Sequence, residues 1–344
     1  MFQITSCETL PQKGKEPGNT CKSGMLSFPE KGEIMIIGGY CQNRVSNHVK
    51  IYKTENNEWD DFPIQTDKEN IPISRYGHTV TFYPKKNSVF LFGGYDLHTY
   101  LSDFWELNLT TKEWIEYNKN HREDEWPKGR HSHSCVLYED FLIFFGGRIT
   151  LEGNRSNEVW SWSIKDQTWN LIKTTGDIPS TRSSHSAAIY KDNMFVFGGV
   201  DEDGFTTEFF YQLNLTDFFW TKIHLGTDIY SRASSAFTQI GSRLILIGGR
   251  KTLPDFKEDS NNIIVIDLQN FETKLLENSP YFQGRSCHSC IAMDHDIYMF
   301  GGEQINLNSC PVIHVNYLEK FSFLHDLVSD LKNFLSNESI LMDI

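Results

Sequence analysis

The chain lacks any apolar run approaching the roughly 20 residues that a membrane-spanning helix requires. Its first residues, MFQITSCETLPQKGKE, have neither the basic start nor the apolar stretch of a secretory signal. Positive charge is short as well. Thirty-two Lys and Arg against 45 Asp and Glu leave a net charge of −13 over 344 residues. A polyanion needs a cationic surface, so general nucleic-acid binding is disfavoured, although a local basic site is not. No G-x-S-x-G, H-E-x-x-H, Walker loop or G-x-G-x-x-G occurs. Cysteine is scattered and odd in number, at 7, 21, 41, 135, 287, 290 and 310, which reads as reduced thiols in a cytosolic or nuclear protein. Cys287-x-x-Cys290 is the only C-x-x-C. It has no second ligand pair and falls on a predicted strand, where residues three apart face opposite ways. No metal or cofactor is expected.

What is present is a repeat. An apolar run followed by Gly-Gly recurs six times, with first glycines at Gly38, Gly93, Gly146, Gly198, Gly248 and Gly301. Their spacings are 55, 53, 52, 50 and 53 residues. Length alone suggests two domains; a period near 50 replaces that with one domain of six units. Each unit reads as four short strands. In the unit around Gly146, strand a covers His131 to Leu137 and strand b Phe141 to Phe145. Strand c covers Glu158 to Ile164, and strand d opens at Trp169. The short apolar b run is that of a strand buried on both faces. A large ring follows each first glycine at a near-constant distance: Trp59, Trp114, Trp169, Trp220 and Phe271 lie 21, 21, 23, 22 and 23 residues on. Such rings can pack between neighbouring sheets, and a radial array of short strands leaves only short edges.

These features resemble the kelch repeat, over roughly residues 2 to 316. The likeness is to the subset with Arg-x-x-His ahead of Gly-Gly, here Arg75/His78, Arg130/His133, Arg182/His185 and Arg285/His288. The fifth unit keeps Arg232 but has Ser235, and the first has Thr20 and Ser23 instead. The resemblance implies an all-β, six-bladed propeller. Phe2 lies 18 residues before Thr20, so residues 2 to 6 are expected to form the outer strand of the last blade, beside strands from residues 286 to 316. Leu324, Leu327, Val328, Leu331, Phe334 and Leu335 follow a helical stripe, which predicts an amphipathic helix over about 320–336 in a tail spanning 317–344.

Strand alternation puts the residues before strand a and those after Gly-Gly on one face. Arg75, Arg130, Arg182, Arg232 and Arg285 are therefore expected at one mouth of the central channel, with Tyr40, Tyr95, Arg148 and Arg250. Arginine suits bidentate capture of carboxylate or phosphate. The repeated arginines could equally bond a neighbouring blade's carbonyls, and the repeated histidines read as structural groups at the blade junctions. Loops after Gly-Gly differ in every unit, a pattern that suits recognition.

The resemblance and the lack of catalytic motifs lead to a non-enzymatic interaction module. It would hold a protein or peptide partner, acidic or ending in a free carboxylate, on the arginine-lined face. Related kelch propellers serve as adaptors, including substrate receptors of ubiquitin ligases. No F-box or BTB segment is seen ahead of the first unit. The tail helix could dock an adaptor, although packing on the propeller's side is its favoured role. The alternative is an enzyme of the kelch-type lyase or oxidase kind with an unrecognised metal at the mouth.

Overall fold

The computed structural model describes residues 3–18, 20–117, 125–226, 231–253, 256–276, 283–294, 296–305, 312–314 and 318–324. Their core is six antiparallel blades of four strands, lettered a to d within each blade; Lys13–Gly14 and Thr175–Gly176 each add a short parallel strand at the outer edge of a blade. Blade 1 comprises Gly24–Phe28, Glu33–Cys41, Arg44–Lys53 and Glu58–Asp61. Blade 2 comprises Thr79–Tyr83, Ser88–Phe92, Phe104–Asn108 and Glu113–Tyr117, and blade 3 Ser134–Tyr138, Phe141–Phe145, Val159–Ser163 and Thr168–Ile172. Blade 4 runs through Ser186–Tyr190, Asn193–Phe197, Phe210–Asn214 and Phe219–Ile223. Blade 5 has Ala236–Ile240, Arg243–Ile247, Ile263–Asp267 and Thr273–Leu276. Blade 6 takes Ser289–Met293, Asp296–Phe300 and Leu318–Leu324 from one end of the chain and Gln3–Thr9 from the other. The a strands of neighbouring blades approach one another around the central channel. This is a six-bladed β-propeller.

The apolar b strands explain why the ring holds together. Alternate side chains of one b strand enter different wedges. Phe144 joins Phe92, Phe104 and Trp169 between blades 2 and 3, while Ile143 and Phe145 join Val196 and Trp220 between blades 3 and 4. Six such apolar clusters fill the six wedges. The d-strand tryptophans reach back one blade. Trp169 lies 5.1 Å from Phe92, Trp220 5.1 Å from Phe145, and Trp59 5.4 Å from Phe300, centroid to centroid. Offset and edge-on rings add to the area they bury.

Two expectations need correction. The third strand of blade 6 is Leu318–Leu324, not a segment within 286–316, so the propeller extends past residue 316. It lies between Asp296–Phe300 and Gln3–Thr9, and the helix expected from about 320 gives way to strand through Leu324. The rest of that helix lies outside the described residues, as does Phe2. Leu318 and Phe321 are fully buried there and Glu319 meets Arg285. A strand buried on both faces has no alternation to distinguish it from a helical stripe. The second correction is Phe271, which occupies the left-handed turn position (φ 59°) ahead of strand d, equivalent to Phe218 in blade 4. Thr273 takes the tryptophan's place, although the Phe271 ring still reaches back to Phe195 and Phe210.

Candidate functional site at the channel mouth

Each Gly-Gly is a blade junction. The second glycine donates its N–H to the carbonyl of the next blade's arginine: Gly39 to Arg75, Gly94 to Arg130, Gly147 to Arg182, Gly199 to Arg232 and Gly249 to Arg285, at 2.8–2.9 Å. Gly302 closes the ring onto Thr20 at 3.0 Å, so Thr20 stands where the other blades have arginine. A Cβ on Gly146 would lie 2.8 Å from the Arg182 carbonyl, and φ there is +68°, so only glycine fits. The arginine side chain completes the junction. Nη1 of Arg75, Arg130, Arg182, Arg232 and Arg285 donates to the carbonyl of its own blade's first glycine. Arg75 also forms a fork with Asp103, Arg130 pairs with Glu158, and Arg285 with Glu319. Arg182 lies over the Tyr211 ring.

All five guanidiniums are buried, at 0–2% exposure. They lie beneath the mouth instead of lining it, which corrects the expectation that they face a ligand. A buried cation must be paired and hydrogen-bonded, and the repeat supplies those partners within the blade.

Two residues beyond each arginine position, and beyond Thr20 in the first unit, the chain makes a second closed circuit. Lys22, Gly77, Ser132, Ser184, Ser234 and Cys287 all adopt positive φ. Each donates its N–H to the carbonyl of the corresponding residue one blade back, with Lys22 donating to Cys287, at 2.7–2.9 Å. The ring encloses a polar cavity of about 150 Å³ with His78, His133, His185 and His288 in its wall. Nε2 of His133 meets Thr79 Oγ1 at 3.0 Å, and Nε2 of His185 meets Ser134 Oγ at 2.9 Å, each across a blade junction. Burial holds His78, His185 and His288 down at about 3, and His133 well below the usual histidine range, so these rings are neutral. Cys287 precedes its blade's a strand and Cys290 lies within it; burial pushes both thiols up, which suits neither a nucleophile nor a metal ligand. Among the described residues no three His, Cys, Asp or Glu groups cluster as a metal site would require.

Above this ring the mouth is asymmetric. Hairpin extensions rise on blades 1, 5 and 6, through Gly39 to Ser46, Arg250–Leu253 with Phe256–Asp259, and Glu303–Ile305 with Val312–His314. Arg250 is engaged within them. Its Nε and Nη2 fork onto Asp259 at 2.8 and 3.1 Å, and Nη1 meets Glu303 at 2.9 Å. These carboxylates raise its already high pKa against the cost of burial.

Blades 1 to 3 carry a different surface. Tyr40, Tyr76, Tyr95, Tyr100 and His131 make a continuous run of rings, with neighbouring centroids 4.9–6.0 Å apart. Backbone bridges join His131 to Arg148 and Arg148 to Arg155. Arg148 donates from Nε and Nη2 to the carbonyls of Thr150 and Leu151. Arg155 donates to Ser183 Oγ and the Gly153 carbonyl. Among the described residues neither guanidinium has a carboxylate at ion-pair distance. Lys22 Nζ reaches across the mouth to Ser132 Oγ at 3.5 Å. Lys22, Arg148 and Arg155 all act on His131, which they and burial hold neutral.

Of the residues singled out by sequence, Tyr40, Tyr95 and Arg148 thus share this surface. The five repeated arginines lie below it, and Arg250 is tied into the opposite wall. Lys22, Tyr76, Tyr100, His131 and Arg155 belong to the surface as well. Tyr76 and His131 directly follow repeated arginines, a signal the spacing carried; Tyr100 and Arg155 lie in unrepeated loops and carried none.

Comparison with known proteins agrees with this architecture. Residues 24–249 match the KLHDC2/KLHL20/DRC7 Kelch-repeats domain, and the chain belongs to the kelch-repeat family. It is 28% identical to Kelch domain-containing protein 3 of Homo sapiens over 205 residues, covering 57% of this chain and 52% of that protein. It is 26% identical to Host cell factor homolog hcf-1 of Caenorhabditis elegans, over 78% of this chain and 38% of that protein. With Kelch domain-containing protein 10 of Rattus norvegicus it shares 24% identity, over 67% of this chain and 60% of the relative. The chain spans about half the length of the first of these relatives. Fold and relatives together support a protein-interaction module. Among the described residues no helix is long and apolar enough to cross a membrane.

Proposed function

We propose that the chain is a non-enzymatic adaptor that holds an anionic segment of a protein partner across the mouth, over blades 1 to 3. The observation that carries this is the pair Arg148 and Arg155, two guanidiniums with no carboxylate partner among the described residues, on a chain of net charge −13. They stand beside a face of tyrosines, and aromatic side chains with arginine make effective contact surfaces. An acidic side chain or a C-terminal carboxylate would be gripped by the guanidiniums, with Tyr40 and Tyr95 packing on the adjoining residues. Service as a ubiquitin-ligase substrate receptor is the finer form of this reading, drawn from the kelch resemblance.

Proximity labelling with the wild type and with Arg148→Ala/Arg155→Ala tests it. Partners enriched by the wild type should be lost in the variant while its unfolding midpoint holds. Ligase subunits recovered alongside them would support the receptor role. A partner set unchanged in the variant would overturn the assignment of the mouth.

A further inference from the structure

We infer that the anion gripped at this mouth is a phosphoryl group on a partner side chain, held by Lys22, Arg148 and Arg155. The inference rests on the reading above and specifies the chemistry of the same site. Lys22 approaches from blade 1 and reaches Ser132, next to His131, while Arg148 is bridged to His131 through the backbone and Arg155 to Arg148. Nη1 of Arg148 and Nη2 of Arg155 have no protein acceptor among the described residues. Three cationic groups around one ring outnumber the two oxygens and single charge of a carboxylate. A phosphoryl group brings three acceptor oxygens and nearly two negative charges at neutral pH. Guanidinium forks suit it, and the ammonium adds a point charge.

Two carboxylates near this spot offset part of the positive charge but leave the open guanidinium donors in place. Burial pushes the Tyr76 hydroxyl up to about 12 and raises that of Tyr100, so both are neutral at pH 7. Glu152 and Asp201 act on Arg148 and Arg155 from the loop margins without an ion pair. Asp201 accepts the Phe205 N–H, and Glu152 is held by Thr150 and its own backbone N–H. The tyrosine rings would cover the residue bearing the phosphate.

Affinity selection with the full chain tests this, using three pools of capped peptides with randomised flanks. One carries an internal phosphoserine or phosphotyrosine and an amidated terminus. The second has Glu at that position, and the third has no phosphate and a free C-terminal carboxylate. The phosphorylated pool should be selected. Arg148→Ala and Arg155→Ala should each weaken the selected peptide by roughly tenfold to a hundredfold, as expected for a lost charge-assisted hydrogen bond, with folding largely retained. Affinity should also fall between about pH 7.5 and 5.5, as the phosphate takes up a proton near pH 6. His131, held well below its ordinary range, stays neutral there. Selection from the Glu or free-carboxylate pool, with a flat pH profile and the same arginine dependence, overturns the phosphoryl inference and leaves the mouth assignment standing. No selection from any pool, or selection indifferent to both arginines, overturns the two together.

Discussion

At the scale of single residues, the five repeated arginines and Arg148 are the same side chain in two different roles. The repeated ones are buried with their donors occupied; Arg148 is half-exposed and bonded only to its own loop. Arg285→Met should therefore destabilise the fold by about 3–5 kcal/mol, because it strands the buried Glu319 carboxylate. Arg148→Ala should cost about 1 kcal/mol or less, since local loop bonds are replaced by water. Urea unfolding of the two variants compares them directly. The junction histidines make a prediction about pH. His78, His185 and His288 have folded pKa values lowered to about 3. The unfolded chain takes up protons at these positions below about pH 6.5, and the folded chain does not. Stability is thus full above pH 6.5 and declines as pH falls towards 3, by up to about 1.4 kcal/mol per pH unit for each histidine. His185→Gln should flatten the urea-derived slope between pH 6.5 and 5 by one histidine's share. An unchanged slope would mean that His185 titrates alike in both states.

At the scale of elements, the d-strand ring is the test of how blades adhere. Trp114 is 7% exposed and packs in the wedge between blades 1 and 2. Trp114→Ala should lower unfolding free energy by about 3–5 kcal/mol, the usual cost of emptying a buried aromatic site. Denaturant titration would reveal an exposed ring as an unshifted midpoint. Blade 5 shows how far element-level sequence reading carries. The ring at 271 keeps the repeat's spacing, but the turn preceding strand d sets the register, and Phe271 falls two residues short of the tryptophan position. Distance from a glycine locates an element; only the hydrogen-bonded pairing of Ile263–Asp267 with Thr273–Leu276 fixes which residue points into the wedge. The strand at Leu318–Leu324 has a similar lesson. Its apolar residues are compatible with helix or buried strand, and the vacant place beside Asp296–Phe300 decides for strand.

At the scale of the molecule, ring closure joins the two ends of the chain in one sheet. Gln3–Thr9 pairs with Leu318–Leu324, and Leu10 donates its N–H to the Leu318 carbonyl. Deleting residues 1–9 would uncover the edge of Leu318–Leu324 and open a free strand to other chains. The truncated chain should lose roughly 10 °C or more of thermal midpoint and associate on size exclusion; a monomer of unchanged midpoint would show that closure lies elsewhere.

The family, the number of blades and the order of strands within most of them are legible in the sequence alone. Those follow from short-range regularities: apolar b runs, glycines that no other residue can replace at a junction, and rings at steady intervals. The sequence also marked the arginines as special, without revealing which face a ligand. That was decided by tertiary structure, because the partner of a guanidinium varies from unit to unit: Asp103 and Glu158 share a 28-residue separation from Arg75 and Arg130, but the other arginines do not follow it. Asp103 lies 28 residues from Arg75, Glu319 34 from Arg285, and Glu303 53 from Arg250. Burial of a charge is settled by such partners, or at Arg182 by carbonyls, a hydroxyl and the Tyr211 ring, and the cationic surface of the mouth is what remains where carboxylates are missing.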